Sequence, residues 1–101
     1  MDYIVLFEDA EGKGDLRAAH MQDHLAFLDA HPEILRAGPL GTPGTGAGGL
    51  WHLRAASEAR VEELIRADPF WPTGLRKSFR VLAWQVVYDR NPSDGEEGNG
   101  G

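Results

Sequence analysis

The sequence predicts an α+β domain, with two amphipathic helices on one face of an antiparallel sheet in the ferredoxin-like order β-α-β-β-α-β. Three observations carry this. Four short segments are rich in β-branched, aromatic and other apolar residues. Two longer segments between them repeat their apolar residues at helical spacing. Finally, 101 residues with a 42% apolar fraction make one domain with a small core.

Each element has its own justification. Tyr3 to Phe7 is a β-rich run that opens the domain, and polar, glycine-containing Glu8 to Gly14 is a loop. Gly14 or Asp15 caps a helix running to about Ala30, where His31-Pro32 stops it. Ile34 to Leu40 is a second strand, Gly41 to Gly49 a mobile connection, and Leu50 to Arg54 a third strand. Ser57 caps a second helix, and Pro69 ends it because the residue before proline is pushed out of the α region. Trp71-Pro72-Thr73-Gly74 is a turn, and Ser78 to Tyr88 is the fourth and longest strand. Residues 1–90 form the domain. Residues 91–101 contain no apolar side chain, and this acidic, glycine-rich tail is expected to be disordered.

Composition removes several function classes. A net charge of −6 argues against nucleic acid as a partner, since phosphate binding needs a basic surface. Only Arg76-Lys77…Arg80 resembles a basic cluster; it reads as a solvated strand edge or a local anion contact. No apolar run approaches a membrane span, and the N-terminus lacks the pattern of a signal peptide. Without cysteine there is no disulfide, thiol nucleophile or thiolate metal site, and a cytoplasmic location is expected.

The fourth strand adds a partner. Phe79, Val81, Ala83 and Val87 lie on one parity, and Leu82, Trp84, Val86 and Tyr88 on the other. A sheet with helices on one side and water on the other alternates apolar with polar. Here both parities are apolar, and a second copy of this short chain is expected to cover the bare face as a sheet-to-sheet homodimer.

Two polar residues stand where core residues are expected. On the first helix, Leu16, Phe27, Met21 and Leu28 bound an apolar arc, with His24 near its middle and Gln22, Asp23 and Asp29 opposite. On the second, Val61, Leu64, Ile65 and Asp68 follow the i, i+3, i+4, i+7 rule. An inward imidazole and an inward carboxylate are the parts of a general acid/base site. They are also commonly structural: a satisfied core histidine, and an Asp-Pro turn at a helix end. Trp51, Phe70, Trp71 and Trp84 are candidates to line a pocket for a flat substrate, as well as ordinary core residues. His20 and His24, one helical turn apart, have a metal-ligand spacing but no third ligand in register, so no metal or cofactor is expected. The Gly41–Gly49 segment lacks the Lys and Ser/Thr of a phosphate loop.

His24-Leu25, Ala37-Gly38-Pro39, Ala67-Asp68-Pro69-Phe70 and Phe79-Arg80-Val81…Trp84, in this order, resemble the YCII-related (YciI-like) family over roughly Met1 to Tyr88. The resemblance implies a dimeric α+β barrel, and a His–Asp pair in a cleft between helices and sheet that maps to His24 and Asp68. One member type is a dehydrochlorinase of a chlorinated hydroxyquinol, and the fold is shared with muconolactone isomerases. This chain departs from the family in its glycine-rich loop, and in Leu82-Ala83-Trp84 where a Pro-Trp ending is common.

The expected function is a small homodimeric enzyme. His24 and Asp68 would move a proton on a small aromatic or enolisable metabolite by isomerisation, HX elimination or cyclisation, without a covalent intermediate. The alternative is a non-catalytic module in which the same cleft binds a small ligand or a partner.

Overall fold

Alternation shapes the first strand. In the computed structural model, which describes residues 1–41 and 48–90, Tyr3, Val5 and Phe7 of β1 (Asp2–Asp9) are buried. Ile4 and Leu6 point to the opposite face. β1 is central, between β3 (Gly48–Arg54) and β4 (Arg76–Trp84), and β2 (Ile34–Leu40) lies outside β3. All three pairings are antiparallel in the order β2-β3-β1-β4, the predicted βαββαβ architecture.

α3 (Glu58–Ala67) starts where its cap predicts: Ser57 Oγ accepts the Arg60 N–H at 3.2 Å. Its stripe Val61, Leu64 and Ile65 is fully buried against Tyr3, Val5, Phe7, Trp51 and Leu53, and Phe27 and Leu28 pack on the same cluster. The first helix differs from expectation. It is two segments, α1 (Gly14–Ala19) and α2 (Met21–Ala30), joined at His20 with φ −113° and ψ 11°. No Gly or Pro marks the break. Each segment is anchored separately: Arg17 on α1 bonds Asp9 at 2.6 Å, while His24 on α2 bonds Asp68.

Close packing requires glycine at position 48. A Cβ on Gly48 would overlap the carbonyl oxygen of its neighbour Phe7, a backbone atom unable to rotate away. Gly48→Ala is expected to destabilise the domain by about 2–3 kcal/mol, the upper part of the overpacking range. That is a fall of roughly 10–20 °C in thermal midpoint, to be read by calorimetry.

The fourth strand runs over Arg76–Trp84 rather than Ser78 to Tyr88. At its far end the ladder closes on the pair Trp84–Asp2, and Gln85 to Tyr88 lie beyond it. At its near end Glu8 pairs with Ser78 but Asp9 with Arg76, so Lys77 is the extra residue of a bulge.

Ile4, Leu6, Leu50 and Leu82 lie on the face opposite the helices, with Trp84, Asp2 and His52 beside them. Leu82 is 39% and Trp84 41% exposed. Among the described residues no helix is long and apolar enough to cross a membrane. Most of the Gly41–Gly49 connection (42–47) and the tail 91–101 lie outside the described residues.

Candidate active site

Asp68 is positioned by the end of α3. Its N–H still donates to Leu64 O at 3.1 Å, but its backbone is extended (φ −65°, ψ 131°), as the following proline demands. The side chain therefore continues the buried stripe and is 0% exposed. A carboxylate there needs full compensation, and it has it. Oδ1 accepts from His24 Nδ1 at 2.9 Å and from the Phe70 N–H at 3.0 Å, and Oδ2 accepts from an Arg76 guanidinium nitrogen at 2.7 Å. Burial pushes the Asp68 carboxyl up. The His24 hydrogen bond, the Arg76 charge and the Phe70 N–H together outweigh it and hold the group below the usual carboxylate range.

That ionised carboxylate decides the histidine's tautomer. An ionised Asp only accepts, so Nδ1 carries the hydrogen and Nε2 carries the lone pair of the neutral ring. His24 is the one buried residue of α2. Phe70 stacks on its ring at 4.1 Å and 17°, fixing the plane of the imidazole. Nε2 has no protein partner among the described residues and is not sealed from solvent. His24 lines a cavity of about 140 Å³ with Phe7, Met21, Leu28, Trp51, Arg17 and Arg76. No Ser, Thr, Cys or Lys is among its described lining residues.

Of the aromatic candidates, Trp51 lines this cavity, edge-on to Phe7 at 5.1 Å. Phe70 is 0% exposed and meets the site through the His24 ring. Trp71 packs edge-on to Phe79 at 5.6 Å, and Trp84 lies on the opposite sheet face, 4.8 Å from His52; neither lines the cavity. His52 Nε2 bonds Asp2 at 2.8 Å on that open face. Arg54 and His52 together hold the Asp2 carboxyl down to about 2. Among the described residues no group of three or more His, Cys, Asp or Glu could hold a metal.

Arg76 is the residue whose place sequence parity misreads. Lys77 and Arg80 are exposed, as a solvated strand edge should be, but the Arg76 side chain is only 5% exposed. Counting back from Ser78 and Arg80 puts Arg76 on the open face; the bulge at Lys77 turns it to the helix face, opposite Asp9. Burial pulls its guanidinium below the usual arginine value against the opposing charge of Asp68, and it remains cationic. Arg17 and Asp9 complete the group. Asp9, placed by sequence in a polar loop, ends β1, and only its odd parity with Tyr3, Val5 and Phe7 could have signalled its inward turn.

The comparisons with known proteins bear on the family and the fold. The chain is 27% identical to 5-chloro-2-hydroxyhydroquinone dehydrochlorinase (TftG) from Burkholderia phenoliruptrix AC1100, solved in complex with 2,5-dihydroxybenzoquinone. The match has a TM-score of 0.75 and covers 84% of this chain and 94% of that one. The protein Atu4242 from Agrobacterium tumefaciens is 14% identical, with a TM-score of 0.56 over 89% of this chain and 98% of that chain. An uncharacterised NIPSNAP domain protein from Burkholderia xenovorans is 13% identical, with a TM-score of 0.51 over 87% and 97%. At these lower identities the two share the fold alone. No curated protein sequence matches the chain. The profile of the YCII-related domain matches residues 1–85, and the chain belongs to that family.

Proposed function

We propose that this protein is a small homodimeric enzyme in which His24 and Asp68 catalyse proton transfer on a ring-sized, aromatic or enolisable metabolite. The observation that carries the reading is the buried His24–Asp68 hydrogen bond in a residue that also lines a cavity. A cavity of about 140 Å³ matches the roughly 150 Å³ that holds one benzene-sized ring. In this reading Nε2 takes a proton from a substrate O–H or C–H, and Asp68 stabilises the imidazolium that forms. The electron pair released moves through the conjugated system and either expels an anion X⁻, completing HX elimination, or picks up the proton at another carbon, completing an isomerisation. The dehydrochlorinase named among the similar structures supports the first outcome.

The test is turnover of a panel of halogenated hydroquinols and enolisable cyclic ketones, followed by halide release and by ultraviolet absorbance. Turnover of at least one class is expected. If none reacts while the same compounds raise the melting temperature, the cleft is a binding module and the enzymatic reading fails.

The dimer has its own support. The exposed Leu82 and Trp84, with Ile4, Leu6 and Leu50, give the open sheet face an apolar centre that water does not favour. Sedimentation is expected to show a dimer at micromolar concentration, and Leu82→Asp to shift it to monomer. A wild-type monomer would remove the assignment.

A further inference from the structure

We propose that Arg76, assisted by Arg17, is an oxyanion receptor in the same cavity, which narrows the ligand class to small planar oxygen acids: a phenolate, an enolate or a carboxylate. The inference rests on reading this cavity as a ligand site and adds what the site must recognise.

A guanidinium that is 95% shielded from water is expensive to keep, and structural use would tie down its donors. Arg76 commits one of its five N–H donors, to Asp68. Aromatic rings surround it instead: the guanidinium carbon lies 3.9 Å from the centre of the Phe7 ring, 5.2 Å from that of Phe70 and 5.3 Å from that of Trp51. Aromatic contacts of this kind use up no N–H donor, so the fork that binds two oxygens of an anion side by side keeps donors to spare. Among the described residues the only buried polar side-chain atom without a partner is Asp9 Oδ1. The spare nitrogens of Arg76 are therefore not entombed; they open onto the cavity that Arg76 lines. Arg17, on the same wall, is held by Asp9 at 2.6 Å and adds a second cation.

Asp68 makes one device of the two sides. The same carboxylate orients the base through Oδ1 and the receptor through Oδ2. When a substrate proton leaves for Nε2, the imidazolium sits against Asp68 and the charge left on the substrate oxygen sits against Arg76. Phe7, Met21, Leu28 and Trp51 supply apolar wall around these groups, so each of these attractions is stronger than in water.

Equilibrium binding to the full chain tests this without turnover. Benzoate and benzamide have the same shape and differ in charge; 2,5-dihydroxybenzoquinone supplies enolate oxygens in place of a carboxylate. At pH 7 one or both anions are expected to bind at least about tenfold more tightly than benzamide, and which of the two binds identifies the type of oxyanion. Arg76→Lys keeps a countercharge for Asp68 and so keeps the fold, checked by circular dichroism and melting. It loses the planar fork, and the anion preference should fall about tenfold. Arg17→Gln should weaken the anions severalfold relative to benzamide. The proposal is overturned if benzamide binds as well as both anions, if neither anion binds below about 10 mM, or if Arg76→Lys retains the full preference. Failure of His24 as the base would show in turnover while anion selectivity persisted, so the two readings fail separately.

Discussion

Replacing His24 with alanine should lower turnover by about two to four orders of magnitude, the range that positioned acid/base groups contribute, and leave the protein folded. The fold survives because the carboxylate beneath is not orphaned. Without the imidazole, Asp68 Oδ1 still accepts the Phe70 N–H and Oδ2 still faces Arg76. What is lost is one charge-assisted hydrogen bond and the stack on Phe70, a destabilisation of about 2 kcal/mol. Steady-state kinetics on a confirmed substrate, with a melting curve beside them, check both parts. Added imidazole should recover part of the rate, since truncation opens space next to Asp68. Full activity in His24→Ala would sink the catalytic assignment.

Removing Asp68 should act on stability as well as on rate. Asp68→Ala leaves the buried Arg76 cation without its countercharge, and breaking a buried pair in this way costs about 3–5 kcal/mol. That is a large part of the stability of a domain this size. Asp68→Asn keeps the shape and removes the charge, so it should fold better than the alanine variant yet lose turnover, because the neutral amide no longer dictates which ring nitrogen carries the proton.

The acid limb separates these roles. The folded carboxyl of Asp68 is held below its ordinary value, so its contribution is fully present above about pH 4 and is lost as pH falls toward the folded value. Wild-type melting temperature should drop in that window, and Asp68→Asn should flatten the drop. Asp2, held at about 2 by Arg54 and His52 on the opposite sheet face, contributes over the same window, and Asp2→Asn is the control. An unchanged acid limb in Asp68→Asn would mean that the pair does not stabilise the fold.

Much of this molecule is written in local sequence. The alternation of Tyr3, Val5 and Phe7, the Ser57 cap, the stripe Val61, Leu64, Ile65 and the Asp68-Pro69 stop are properties of a few neighbouring residues, and each element appears where they place it. The inward aim of His24 and of Asp68 follows from helical period alone. Periodicity says which way a side chain points but not what it meets. That residues 44 apart in sequence share a hydrogen bond depends on α2 meeting the C-terminal end of α3. Arg76 shows the limit most clearly: one extra residue, Lys77, in the β1–β4 ladder reverses the parity of everything before it, and no local pattern announces the bulge. The same holds for the aromatic residues. Trp51 and Trp84 look alike as strand tryptophans, and only cross-strand register puts one on the cavity and the other on the open face. Sequence by itself determined the order of strands and helices and the two residues aimed inward, because those follow from short-range sterics and apolar spacing. Tertiary structure alone decided that the carboxylate serves a base and a buried cation at once, because register and bulges are settled by pairing between distant strands.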